Sequence, residues 1–391
     1  MVENDKIDPY NHKERYLNWK KASENGINGL SPQNQAILKR YLSDMENGLN
    51  IGTIKRGARS FPRLNALRHR VIFTMNLLKK RFDLDYITEV NEQQLHDLFR
   101  EMRSGVILRM DGKPYQSVKD HVKDFKTFWH WHQRINRKQG REIVDITSDL
   151  DTSGEKPKWV YLTENQIKLL AEKAKYEYCV LIWFLFDTGI RAPTELMNIK
   201  VSDFYNDFKE LDIKISKTFG RKIKLMLCSD YVKEFIQLKK LTGDDYLFQI
   251  CPPVVNRYLK RLSSKIFGEG ASLAREKYSE LTMYDFRHCS SCYWLPRYKS
   301  ESAMKYRFGW KNSDKIHYYS EMLGMKDTIC QDDMLMSSTK TRLEKELELT
   351  RKQNDLLNEK QKTNDIQFSQ IMELVKQLEG QIKLKTGGIL I

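Results

Sequence analysis

Four short segments of the chain carry residue types that could do chemistry together. Thr188–Leu196 (TGIRAPTEL) presents Arg191 straight after an apolar stretch and a Gly turn, with Glu195 four residues on. Lys217 stands in SKTFGRKIKL, between two alternating segments. Tyr284–His288 (YDFRH) supplies Tyr284, Arg287 and His288, and Gly309-Trp310 is followed, nine residues after Trp310, by Tyr319. Guanidinium forks stay charged and grip phosphate with two prongs. A lysine can deliver a proton, and a phenol can attack as a nucleophile. Each segment alone also has a plain structural explanation. Arg191 could cap the helix before it, and Lys217 could be a solvated turn residue. Arg287 could pair with Asp285 or Glu195, and Tyr319 could be a core aromatic, with Tyr318 beside it.

Other chemistries find less support. There is no P-loop pattern, no His-Glu-x-x-His and no EF-hand loop. Cys289 and Cys292, beside His288, form the one CxxC; without a second pair at zinc spacing they read as packing residues on one helix face, and no metal site is expected. Six cysteines in 391 residues are not a disulfide framework.

The elements that must position these residues fall into blocks. Apolar spacing predicts helices over Ser31–Asn47, Phe61–Phe82, Asn91–Ser104 and Tyr115–Gln139. The polar stretch 146–158 (ITSDLDTSGEKPK) reads as a linker. Beyond it, a Thr163/Gln166 capping box opens a helix over Glu164–Ala174, and Tyr176–Asp187 is apolar enough to be buried. Leu211–Ser216 and Lys222–Cys228 alternate like paired strands joined by the turn that holds Lys217. Helical patterns resume at Tyr231–Leu241, Pro253–Phe267, Tyr284–Trp294 and Glu301–Phe308. The division expected is an N-terminal helical arm (1–50), a helical domain (51–145), the linker (146–158), a mixed domain (159–330) and a C-terminal helix (331–391). Within the last, residues 339–385 have amphipathic spacing, but their heptads break between Arg351 and Asp365, so a coiled coil that mediates self-association stands beside a solvated single helix.

Charge narrows the choice of partner. Lys plus Arg outnumber Asp plus Glu by 67 to 52, a net +15. Residues 51–141 carry +11 of this and residues 251–300 carry +5. From Ile51 to Phe82 there are nine basic residues and no acid, among them Lys55, Arg56, Arg59, Arg63, Arg68 and Arg70. Lys123 and Lys126 follow, with Trp129 and Trp131 interleaved. Basic side chains beside aromatics suit a face that tracks phosphates. A solvated helix face and a membrane-surface helix are the rivals, and Arg68-His69-Arg70 running straight into Val71-Ile72-Phe73 fits a membrane-surface helix poorly. The longest apolar run, Cys179–Phe186, is far too short to span a bilayer. The start, MVENDKIDPY, lacks the basic and apolar regions of a secretory signal. The expectation is a cytoplasmic, nucleoid-associated protein.

In this order, the four segments resemble the boxes of the tyrosine recombinase (phage integrase) family, and most closely its archaeal-type integrases. The resemblance covers about residues 160–325, and more loosely the basic helical domain ahead of them. Thr188–Leu196 is similar to the first box, T-G-[L/I/M]-R-x-x-E-L, with one extra residue between Arg191 and Glu195. Lys217 falls at the hairpin lysine, Tyr284–His288 at [H/K/Y]-x-x-R-H, and Phe308-Gly309-Trp310 with Tyr319 at the last box. The implied fold is mainly α with a small antiparallel sheet, a helical core-binding domain that clamps DNA followed by an α/β catalytic domain.

The resemblance also implies a reaction, insertion or excision of a mobile genetic element. Tyr319 would attack a DNA phosphodiester, forming a phosphotyrosyl link and freeing a 5′-hydroxyl that later reseals the strand. Arg191 and Arg287 would hold the charged phosphate, Lys217 would protonate the leaving oxygen, and Trp310 would donate its indole N–H. Glu195 would orient rather than react. Neither metal nor ATP is implied, because the arginines supply charge and the intermediate keeps the bond energy. The partners implied are double-stranded DNA and three further copies of the chain, a homo-tetramer. Tyr284 departs from the usual His or Lys. A phenol is a poor base at neutral pH, so Tyr284 acting as a base and Tyr284 only hydrogen-bonding, with more weight on His288, both stand. A DNA-binding accessory protein with a decayed site and a type IB-like topoisomerase or resolvase are the alternatives.

Overall fold

The computed structural model describes residues 6–52, 56–154, 157–298 and 300–324, plus scattered helical positions between Leu347 and Met372. Lys55 and most of the C-terminal segment expected as a coiled coil lie outside the described residues. Residues 1–324 form a compact unit of their own.

The first five helices are α1 (His12–Ser23), α2 (Pro32–Asn47), α3 (Phe61–Phe82), α4 (Glu92–Ser104) and α5 (Val118–Arg137). Start signals in the sequence set their ends. The Ser31 hydroxyl accepts from Asn34 N ahead of Pro32, and Asn91 and Gln94 form a reciprocal capping box. α1 and α2, expected as a separate arm, share one core with α3–α5: Tyr16, Leu38, Tyr41, Leu67, Phe125, Phe128 and Trp131 all belong to it.

Part of the expected linker is also packed, since Leu150 belongs to that first core. A second core begins at Trp159. Around it lie α6 (Glu164–Lys173), α7 (Tyr176–Thr188), α8 (Ser229–Lys239), α9 (Pro252–Phe267), α10 (Met283–Trp294), α11 (Glu301–Phe308) and α12 (Asp314–Met322). One antiparallel sheet, ordered β1 (Phe204–Tyr205), β2 (Glu210–Ile213), β3 (Arg221–Lys224), carries the 214–220 turn. α7 is buried, as its apolar sequence requires, and packs on α6 and α10. No helix among the described residues is long and apolar enough to cross a membrane.

A buried ion pair fixes the frame of this second body. Asp187, fully buried, accepts from the backbone N–H groups of Met226, Leu227 and Cys228, and Arg307 Nη2 meets its Oδ1 at 2.9 Å. Arg307 also lies 4.2 Å from the Trp294 ring centroid and donates to Lys224 O. This ties α7, β3, α10 and α11 together directly under the candidate site.

Candidate active site

Two helix C-termini build the floor of the site. The last carbonyls of a helix lack intrahelical partners and carry the negative end of its dipole. Gly189 caps α7 and Gly309 caps α11, both in the left-handed region at φ 56° and 61°. Arg287, only 4% exposed, donates to Gly189 O at 2.6 Å and to Phe308 O. Arg191 donates to Gly309 O at 2.8 Å, and Thr218 Oγ1 donates to the same oxygen at 2.9 Å. Burial, and then the nearby Arg191 charge, push the Arg287 guanidinium down from its ordinary value.

The glycines are required for space as well as for φ. A Cβ on Gly189 would lie 2.2 Å from Phe308 Cε1 and 2.8 Å from Ser290 Oγ, and one on Gly309 would press on Thr218, Arg221 and Arg191. Gly189→Ala is therefore expected to cost about 2–4 kcal/mol, combining left-handed strain with overpacking. Urea unfolding of the variant checks this.

Glu195 stands at the centre of a second network. Its carboxylate accepts from Arg191 N and Nη1, from Ser216 Oγ at 2.7 Å and from Arg221 Nη2 at 2.9 Å. The extra residue between Arg191 and Glu195 is absorbed in a helical turn, closed by Glu195 N donating to Arg191 O at 2.8 Å. Burial pushes the carboxyl up, but the Arg221 hydrogen bonds and charge, with those of Arg191, outweigh it and hold it at about 2. Arg221 was not singled out in the sequence. It is 2% exposed, and its Nε donates to Arg307 O at 2.7 Å.

The third cluster surrounds Tyr319 on α12, which is 3% exposed. Its hydroxyl lies 2.5 Å from His288 Nδ1, and its ring stacks on Trp310 at 5.8 Å between centroids. Burial, helped by Cys292, pushes the phenol up, against the opposing effect of Arg287. Tyr318 has other partners: its hydroxyl accepts from Trp159 Nε1 at 2.8 Å and reaches Pro157 O at 3.4 Å. Trp159, which belongs to none of the four sequence segments, stacks on His288 at 4.7 Å.

Lys217 and Tyr284 stand further out. Lys217 is exposed on the 214–220 turn, while its neighbours Ser216 and Thr218 bond into the site. Tyr284 is 47% exposed on the first turn of α10 and meets the edge of the His288 ring. Cys289 and Cys292 are buried in the second core, and no metal-binding group of His, Cys, Asp or Glu occurs among the described residues.

The expected DNA-facing residues divide. Arg56 and Lys123 are exposed and Arg59 is half-buried. Lys126 donates to Ser148 O at 3.1 Å. Arg63 and Arg70 pair with the buried Asp124 of α5, at 2.6 and 2.7 Å. Arg68 departs from the expectation: it is 5% exposed, with its guanidinium 4.9 Å from the Trp19 ring centroid. Packed on Trp19 of α1 and within the buried stripe of α3, Arg68 is a core residue joining α1 and α3.

No family signature matches the sequence, and no curated protein is similar to it. Solved structures do share the fold, which is that of the tyrosine recombinases. A lambda integrase (75–356) dimer bound to a COC′ core site is 16% identical, with a TM-score of 0.54 over 78% of this chain and 98% of that one. The XerH site-specific recombinase bound to difH is 15% identical, with a TM-score of 0.53 over 81% and 87%. The Tn1549 transposon integrase with transposon right-end DNA is 14% identical, with a TM-score of 0.53 over 76% and 96%.

Proposed function

We propose that this chain is a tyrosine-type site-specific DNA recombinase that cleaves and rejoins DNA through a 3′-phosphotyrosyl intermediate. One observation carries the reading: the Tyr319 phenol, held by His288 and stacked on Trp310, lies within the field of Arg287, and Arg287 and Arg191 are both anchored on the helix C-termini that end at Gly189 and Gly309. The spacing of the boxes favours an archaeal-type integrase, and its working form is a homo-tetramer on two duplexes.

In this reading the scissile phosphate replaces part of what the arginines now hold. Arg191, with a side chain 14% exposed, is the more accessible fork, and Arg287 supplies charge from beneath. Tyr319 Oη attacks phosphorus, the P–O5′ bond breaks, and Lys217 on its exposed turn gives O5′ a proton. Trp310 donates its N–H to a phosphate oxygen. The reverse sequence, with a second 5′-hydroxyl, rejoins the strand and frees Tyr319. Removing one phosphate-binding arginine is expected to raise the barrier by about 3 kcal/mol or more. Arg56, Arg59 and Lys123, within a segment of net +11, support non-specific contact with the backbone, which salt weakens steeply.

The test uses nicked duplexes drawn from DNA flanking the gene, beside a supercoiled plasmid that lacks that DNA. Detergent-stable protein–DNA adducts and exchanged strands on the flanking DNA alone are the expected result. Relaxation of any plasmid would instead favour a topoisomerase, and no adduct on any DNA would favour an accessory protein with a decayed site.

A further inference from the structure

We propose that His288, rather than Tyr284, takes the proton from the Tyr319 phenol as it attacks. This rests on the recombinase reading and assigns a catalytic residue within it. The acceptor is already in place, because His288 Nδ1 and Tyr319 Oη are 2.5 Å apart. The imidazole is held for that contact. Its ring stacks flat on Trp159 at 4.7 Å and 23°, and Trp159 is fixed in turn by its Nε1 bond to Tyr318 Oη and by Ser272 Oγ donating to its carbonyl. Tyr284 is half exposed and meets His288 edge-on, so the imidazole stands nearer the reacting oxygen. A phenol ordinarily ionises near pH 10, which makes it a weak proton acceptor at neutrality, whereas a neutral imidazole has a free lone pair there.

The electrostatic surroundings give the step its timing. The charged and titratable groups facing His288 are Arg287 and Tyr284 on its own helix and Lys315 and Tyr319 on α12. Burial, then the Lys315 and Arg287 charges, push the imidazole down to about 3, so in the DNA-free chain it is neutral and a weak acceptor. A scissile phosphate on Arg191 and Arg287 brings negative charge to the same place and raises the acceptor strength when substrate is present. The step balances. The Oη–H proton moves to Nδ1, the freed electron pair forms the Oη–P bond, the P–O5′ bond breaks, and O5′ takes a proton from Lys217. In rejoining, His288 returns its proton to Oη.

The experiment measures adduct formation on two nicked duplexes, one natural and one with sulfur at the bridging 5′ position, whose thiolate leaves without a proton donor. On the natural duplex, His288→Asn and His288→Gln are expected to be slower by about 100-fold or more, and Tyr284→Phe by no more than about threefold. The sulfur duplex is expected to restore Lys217→Ala but not the His288 variants, and added imidazole to restore His288→Ala in part. Unchanged DNA binding and unfolding midpoints identify variants that keep the fold. Near-normal His288→Gln with a Tyr284→Phe defect of 100-fold would overturn the proposal, as would rescue of His288→Asn by sulfur. If the wild-type chain forms no adduct on either duplex, the recombinase reading fails first and the assignment falls with it.

Discussion

Tyr319→Phe abolishes covalent capture of DNA, a drop of at least about 10³-fold, while Tyr318→Phe leaves capture within an order of magnitude. This is the expected result, and it follows from where the two hydroxyls go. Tyr319 Oη lies 2.5 Å from His288 Nδ1, and its ring stacks on Trp310. Tyr318 Oη is engaged by Trp159 Nε1 and Pro157 O, so its loss removes two hydrogen bonds of about 1 kcal/mol each from the packing around Trp159. Tyr319→Phe keeps the stack and loses only the hydroxyl. Trapping on nicked duplexes reads both variants side by side. Adducts that survive Tyr319→Phe and vanish with Tyr318→Phe would reverse the assignment.

Glu195→Gln is expected to be the most destabilising single change in the site, at about 3–5 kcal/mol. Its carboxylate is 1% exposed and serves Arg191, Arg221 and Ser216 at once. An amide there cannot balance two guanidinium charges. The sign of the pH dependence follows from the same network. The carboxyl is held at about 2 in the folded chain against an ordinary 4.5. A group depressed on folding stabilises the fold above its unfolded value, and that stabilisation disappears as pH falls through the folded one. Urea unfolding should therefore show a wide gap between wild type and Glu195→Gln at pH 7 that narrows below about pH 4.5 and closes near pH 2. A gap that stays constant across that range would contradict the charge-based account.

Helical periodicity made most of the fold legible. The expected span Phe61–Phe82 coincides with α3 because Leu64, Leu67, Val71, Met75 and Leu78 make one continuous buried stripe. Two helices lack such a stripe for a shared reason. In α1 only Tyr16 and Ser23 are buried, and in α12 only Tyr319, so neither has an apolar stripe to read. Both strands end sooner than expected, since alternation continues past the ladder's two end pairs, Ile213 with Arg221 for β2 and Glu210 with Lys224 for β3.

Within the site, residues at box positions were legible and their supports were not. Arg221 sits among lysines and reads as solvated. Yet period-two alternation with Ile223 puts it on the inner face of β3, with Lys222 and Lys224 outside, and that signal was present in the sequence. Arg68 is the converse case. It lies four residues after Leu64 and seven before Met75, on the buried stripe of α3, so counting charge alone misassigned it. The run from Ile51 to Phe82 lacks acids only in sequence, because Asp124 of α5 supplies the partner for Arg63 and Arg70. Trp159 carried no periodic signal at the edge of a polar linker; only the tertiary contact with His288 reveals it.

The central claim is covalent chemistry at one phenol. Its most direct measurement is the mass of the protease-resistant adduct after the chain is incubated with a nicked duplex from its own flanking DNA. A nucleotide joined through its 3′-phosphate to the peptide containing Tyr319 is the result expected. A 5′-linkage, a nucleotide on any other residue, or an unmodified chain after strand cleavage would contradict the account.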